Sequence, residues 1–372
     1  MKKQATATVT YPKTLLLGVQ TPEHYTVNME SYFEEFRNLA RTNGVQNAEE
    51  LHIKIREIDP GYFLTRGKRD EVKAFCNEHD IEQVIISEAL SSRQAGNLGE
   101  LLDCNIFDRT ELILEIFEKS AHTAEGKLQV AIAQLQHKKS RLAGKGVHYA
   151  QQSGAIGVRG GFGETAKEKE TRHIEESILQ IKRHLVKMHK ARETQRKQRL
   201  NNKEPNICLI GYTNAGKSTI LNILTNSNVL AEDKLFATLD TTTRSLFING
   251  KKKGTISDTV GFIQQLPTRL IEAFKSTLSE LHHANLLLHV VDVADPGWQN
   301  HIRVVHDILD ELEVNTPMLY VFNKADKIDT TLLTGALEQY EPYVIVSSLS
   351  KKGIAPLVEY LSYWMPQEPE KS

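Results

Sequence analysis

Over residues 1–118, short apolar runs alternate with longer amphipathic stretches. Thr14-Leu15-Leu16-Leu17-Gly18-Val19, Leu51-His52-Ile53-Lys54-Ile55, Gln83-Val84-Ile85-Ile86 and Cys104-Asn105-Ile106-Phe107 are predicted as strands. Between the first two, Met29, Phe33, Phe36 and Ala40 recur at i, i+4, i+7 and i+11, the stripe of a helix buried along one side. This βαβα rhythm predicts a small parallel sheet flanked by helices. Gly67-Lys68-Arg69 precedes a helix and reads as a capped helix start, with an anion site as the alternative.

The period changes over residues 119–200. Leu128, Ile132, Leu135 and Leu142 form one stripe, and Ile174, Ile178, Ile181, Leu185 and Met188 another, its steps alternating between four and three. Two long helices with such seams are predicted to pair as an antiparallel hairpin. Their connection from Gly144 to Gly163 holds seven glycines, with His148, Tyr149, Gln151, Gln152, Arg159 and Phe162 among them. A connection of roughly 20 residues is longer than helix pairing requires. It reads as an adaptable finger that orders on RNA, with Arg159 for phosphate and aromatics for stacking; a plain surface loop is the alternative.

Residues 201–366 carry the chemistry. The apolar run Ile207-Cys208-Leu209-Ile210 feeds Gly211-Tyr212-Thr213-Asn214-Ala215-Gly216-Lys217-Ser218, and Ser218 to Leu224 reads as the helix that follows. This is G-x-x-x-x-G-K-[ST], whose small residues let backbone N–H groups converge on phosphates at a helix N-terminus. Lys217 is suited to the terminal phosphates and the Ser218 hydroxyl to Mg²⁺. A second run, Met318-Leu319-Tyr320-Val321-Phe322, ends in Asn323-Lys324-Ala325-Asp326, where the Asp326 carboxylate can accept from N1–H and N2–H₂ of guanine but not from adenine. Between them, Gly254-Thr255-Ile256-Ser257 leads into Asp258-Thr259-Val260-Gly261. Asp258 is placed to hold the metal through water, and the Gly261 N–H to sense the γ-phosphate. Tyr343-Val344-Ile345-Val346 runs into Ser347-Ser348-Leu349, where a backbone N–H contacts the guanine carbonyl. Ile354, Leu357, Leu361 and Trp364 form a closing helix before Pro366, and 367–372 is a polar tail. The predicted fold class is α/β: a P-loop GTPase domain preceded by a small α/β parallel-sheet domain and a long antiparallel helical hairpin. The expected boundaries are 1–118, 119–200 and 201–366.

Composition alters this picture in one respect. Apolar content of 40% and charged content of 25% are ordinary for a globular chain. The start Met1-Lys2-Lys3-Gln4-Ala5-Thr6 has no apolar signal core, no run spans a membrane, and the expected location is cytoplasmic. Cys76, Cys104 and Cys208 have no metal or disulfide spacing and read as buried thiols. The net charge of −1, however, hides an asymmetry: residues 119–200 hold 18 Lys and Arg against 7 Glu, a net +11, leaving −12 elsewhere. Charge segregated in this way points to a polyanionic partner.

The motifs together resemble the HflX family of ribosome-associated GTPases. The phosphate loop through Thr219 has the family's wording. Phe236-Ala237-Thr238-Leu239-Asp240 is similar to its switch I, which implies Thr238 as the second protein ligand to Mg²⁺. Asp258-Thr259-Val260-Gly261-Phe262 is similar to its switch II. Asp108-Arg109-Thr110-Glu111-Leu112-Ile113-Leu114, Glu125 to Val130 and Ile156 to Thr165 resemble its hairpin and glycine-rich loop, and are the more specific match. The sequence departs from the family at Phe162, where proline is usual, at Thr241, also proline, and at Ser348, usually alanine. It also ends before the further C-terminal domain of many members.

The resemblance implies a monomer that binds GTP/GDP and Mg²⁺. It further implies binding to the large ribosomal subunit and its RNA near the peptidyl transferase centre, with splitting or rescue of stalled ribosomes under stress. A GTP-gated RNA-binding regulator and an assembly factor remain open. Lys217, Thr238 and Gly261 are the expected catalytic groups. Phe262 stands where other GTPases carry glutamine and cannot orient water, so slow turnover alone and acceleration by a partner are expected.

Overall fold

The computed structural model describes residues 12–24, 28–144, 166–201, 204–225, 234–236, 239, 242–265, 267, 270 and 278–364. The chain divides into two compact units, Met1–Glu115 with His137–Thr171, and Ile116–Gln136 with Arg172–Ser372.

The first unit is built on a parallel sheet of β1 (Thr14–Gln20), β2 (Glu49–Lys54), β3 (Gln83–Ile86) and β4 (Asn105–Phe107), in the order β2-β1-β3-β4. These are the four predicted strands, with ends moved by a residue or two. Helices α1 (Met29–Asn43), α2 (Arg66–Glu78) and α3 (Ser92–Leu102) lie between them in sequence, as the rhythm requires. Gly67-Lys68-Arg69 lies inside the first turns of α2. The cap residue, Thr65, makes no side-chain cap bond.

The buried face of α1 differs from the predicted stripe. Tyr32, Glu35, Phe36, Leu39 and Ala40 are buried, whereas Met29 and Phe33 are only half-buried. Polar partners explain the rotation. The Tyr32 hydroxyl donates between Ser87 O at 2.9 Å and Glu88 Oε1 at 2.8 Å, and Glu35 pairs with Arg109, a guanidinium buried to 1% exposure. His24 Nε2 stands 3.6 Å from Glu88 Oε2, and the Arg109 guanidinium lies 5.0 Å from the centre of the Tyr32 ring. Burial pushes the Tyr32 phenol and the Glu88 carboxyl up from their ordinary values. Hydropathy counts Glu35 as a surface residue, and only pairing makes its burial tolerable.

Arg109 opens α4 (Arg109–Ser120), followed by α5 (Ala124–Gly144) and α6 (Ala166–Asn201). Lys138 Nζ meets Glu170 Oε1 at 3.0 Å, joining the ends of α5 and α6 that flank the connection. Of the predicted seam residues, Ile132 and Ile174 are buried and the others are half-buried, while Leu179 and Val186 are more than half exposed. The two helices differ in length, α5 having 21 residues and α6 36. The finger residues 145–163 lie outside the described residues.

In the second unit, β5 (Asn206–Gly211), β6 (Thr242–Ile248), β7 (Lys251–Asp258), β8 (Leu286–Asp292), β9 (Met318–Asn323) and β10 (Tyr343–Ile345) form a sheet in the order β10-β9-β8-β5-β7-β6. Only β6 runs antiparallel, joined to β7 through Asn249 and Gly250, both with positive φ, as a tight hairpin turn requires. The polar edge strand β6 and the run Leu286–Val291 of β8 are missing from the predicted elements. Helices α7 (Lys217–Thr225), α8 (Trp298–Glu311) and α9 (Ala355–Tyr363) cover the sheet. Ile207, Leu209, Ile220, Leu221, Leu288, Leu319 and Leu357 are among the residues of its core.

Cys76 and Cys208 are buried and their thiols are pushed up to about 12 by burial. The fold nevertheless brings Cys76 and Cys104 into side-chain hydrogen-bonding reach, a proximity their sequence spacing does not show.

Removing one partner of a buried pair strands the other charge. Glu35→Ala should therefore destabilise the first unit by ~3–5 kcal/mol, read as faster hydrogen exchange of the β1 amides. A second outcome concerns His289, fully buried in β8 beside His306, Lys217 and Tyr320, and held down to about 3, chiefly by burial. The unfolded chain takes this proton near pH ~6.5 and the folded chain refuses it. Stability should fall as pH drops from ~6.5 towards 3, by up to ~1.4 kcal/mol per unit from this group. His289→Leu should flatten that acid slope in chemical denaturation.

Candidate nucleotide-binding site

The ends of β5, β7, β9 and β10 carry the predicted segments Gly211 to Ser218, Asp258 to Gly261, Asn323 to Asp326 and Ser347 to Leu349. Gly211 closes β5 with φ 140° at a close approach to the Val290 carbonyl, where a Cβ would collide. Gly216, at φ 98°, leaves room for the Asn323 amide. That amide is fully buried. Its Nδ2 donates to Ala215 O at 2.8 Å, and its Oδ1 accepts from the Ser348 N–H at 3.0 Å. One side chain thus fastens the phosphate-type loop to the Ser347-Ser348-Leu349 loop.

Lys217 begins α7, and its Nζ donates to Gly211 O at 3.1 Å and Tyr212 O at 2.7 Å. Burial lowers it to about 8, with Asp258 acting in the opposite sense. Ser218 Oγ donates to Asp258 Oδ2 at 2.6 Å. Thr259 Oγ1 donates to Leu209 O at 2.7 Å, anchoring the start of this segment beneath β5. Gly261 is so close to Thr213 and Lys217 Nζ that a Cβ would meet both.

Asp326 is exposed and accepts a hydrogen bond from Ser347 Oγ. Lys324 takes a left-handed conformation and its Nζ pairs with Asp292 Oδ2 at 2.6 Å, while Leu349 is 79% exposed beside them. The donor set at Ser218 and Asp258 is all oxygen, which fits a hard cation such as Mg²⁺. Thr238, Ala237 and Asp240 lie outside the described residues. Phe236 is buried at 2% exposure and packs edge-on against Phe117 at 4.6 Å, and Leu239 is also buried. Their side chains therefore serve packing in this arrangement.

Sequence reasoning missed three participants. Asp292, which orients Lys324, ends an apolar run that is legible as a strand. Gln264 and His301 carry no local signal, because their contacts with Tyr212 arise only on folding.

Known proteins place this arrangement. Family models described as "GTP-binding GTPase N-terminal", "GTP-binding GTPase Middle Region" and "50S ribosome-binding GTPase" match residues 30–118, 120–199 and 206–324. GTPase HflX of Caldanaerobacter subterraneus subsp. tengcongensis is 40% identical over 342 residues, 92% of this chain and 78% of the relative. GTPase HflX of Escherichia coli is 40% identical over 312 residues, 84% of this chain and 71% of the relative. The structure of SsGBP in complex with GDP shares the fold, with a TM-score of 0.51 at 23% identity over 94% of this chain and 97% of that one. With relatives about 40% identical over most of its length, the chain belongs to the HflX family of GTPases.

Proposed function

We propose that this GTPase binds GTP and Mg²⁺ at the site above, turns over slowly alone, and acts on the large ribosomal subunit to split or rescue stalled ribosomes. The observation that carries the nucleotide reading is the Asn323 bridge. It ties Ala215 of the Gly211–Ser218 loop to Ser348, which supports reading the two loops as parts of one site. The ribosomal reading is supported by family membership, by the description of the family model over 206–324 and by the +11 charge of residues 119–200. Residues 1–118, 119–200 and 201–366 would act as fold domain, RNA-contacting hairpin and GTPase in a monomeric, cytoplasmic protein. The finger's Arg159 and aromatics would meet rRNA near the peptidyl transferase centre.

In this reading Asp326 accepts the N1–H and N2–H₂ groups of guanine, with Asn323, Lys324 and Ala325 shaping that pocket. The loop Ser347-Ser348-Leu349 presents an N–H to the guanine carbonyl. Backbone N–H groups of Gly211 to Ser218 surround the phosphates, and Lys217 turns from loop carbonyls to phosphate oxygens, which supply a counter-charge. Ser218 and Thr238 would hold Mg²⁺, with Asp258 acting through water; when bound, the ion neutralises charge on the phosphates. The Gly261 N–H faces the γ-phosphate position. Phe262 is buried, apolar and unable to orient the attacking water, so that duty passes to the ribosome.

Asp326→Asn replaces a two-acceptor edge with one donor and one acceptor. GTP affinity should weaken roughly 10- to 100-fold in a fluorescent-nucleotide titration, and undiminished affinity would refute the guanine assignment. Ribosomes should accelerate hydrolysis by roughly 10³–10⁵, the range of a catalytic element supplied in trans. Full-speed turnover without ribosomes would overturn the role given to Phe262. In sucrose gradients a splitting factor converts whole ribosomes to subunits with GTP. Co-sedimentation alone would favour the regulator, and preference for precursor particles the assembly factor.

A further inference from the structure

We infer that Tyr212 is a positioning residue for hydrolysis: its side chain pins the segment after Gly261 to the phosphate loop, with His301 as its support. The inference rests on the reading of Gly211 to Ser218 as the phosphate loop. That loop uses backbone N–H groups, so nothing in phosphate binding calls for a phenol at its second position. Yet Tyr212 is buried, and its hydroxyl oxygen accepts the Gln264 N–H at 2.7 Å.

This contact completes a short zipper. The Phe262 N–H donates to Gly211 O at 3.2 Å and the Thr213 N–H to Phe262 O at 2.8 Å. Both are backbone bonds that any sequence could make. The third tie, at Gln264, depends on a side chain and sits where the chain turns, next to Gln265 at φ 49°. Without it, the Gln264 amide loses this acceptor on the loop and the zipper after Gly261 is one tie shorter.

The ring itself is held. It lies parallel to the His301 imidazole, 8° between planes and 3.8 Å between centroids, and His301 is a buried residue of α8. That stack stops the phenol from swinging away from Gln264. A residue acting through the position of another should alter the rate of the chemical step more than ground-state binding.

The test uses the full chain. In Tyr212→Phe, the Gln264 amide should exchange with solvent roughly 10-fold faster without nucleotide, since it loses its acceptor. Ribosome-stimulated kcat should fall roughly 3- to 10-fold, with KM and GDP affinity changed by less than about twofold. His301→Ala should reproduce the loss and His301→Phe, which keeps a stacking ring, should restore it. Unchanged exchange and kcat in Tyr212→Phe would overturn the inference. So would a fall in GDP affinity matching the fall in kcat, because Tyr212 would then merely shape the loop. The amide readout needs no nucleotide. Retained GTP binding in Lys217→Ala would sink the proposed site while leaving the exchange result standing.

Discussion

The buried side chain of Asn323 is the constraint on which the nucleotide site depends. A primary amide enclosed in the core must satisfy donor and acceptor internally, and this one does so on two different loops, at Ala215 O and the Ser348 N–H. The distance between phosphate-binding and base-binding elements is thereby set by hydrogen-bond geometry within one residue. Gly216 is part of the same constraint, because any side chain there would occupy the volume of the amide.

Around that anchor, the polar groups of the site are paired with one another. Lys217 rests on two carbonyls and Ser218 on Asp258, with Lys324 on Asp292. Each pairing keeps a buried or half-buried polar group satisfied without nucleotide, and the first two can be exchanged for contacts to an anion and its cation. The segment after Asp258 is treated differently. Its backbone is zipped to Gly211, Tyr212 and Thr213, and its ring at Phe262 is withdrawn from solvent. The polar groups at Lys217 and Ser218 are held by hydrogen bonds to loop carbonyls and to Asp258, while the segment after Asp258 is held mainly by backbone bonds.

The first unit solves a different problem. Arg109, Glu35, Glu88 and Tyr32 are all buried near the carboxyl ends of β1 and β3, where isolated charges would be intolerable. Their mutual pairing fixes the rotation of α1 and the start of α4. The same principle explains why α1 departs from its hydrophobic stripe: a paired Glu35 goes inside and a stackable Phe33 stays at the rim, against His52.

Local pattern was enough for most strands and for the strand–turn–helix around Gly211 to Ser218, because these depend on contiguous residues: apolar runs bury themselves, and the glycines at 211 and 216 supply the positive φ that the turn needs. The basic stretch 119–200 was equally legible from charge alone. Tertiary structure decided what depends on residues far apart in sequence. The polar edge strand β6 forms because β7 offers it partners. Cys76 meets Cys104, and Glu35 enters the core only because Arg109 is there to receive it. Likewise, the phosphate loop is plain in the sequence, but the support that Gln264 and His301 give Tyr212 is not, since packing and hydrogen bonding across the fold leave no periodic trace in the chain.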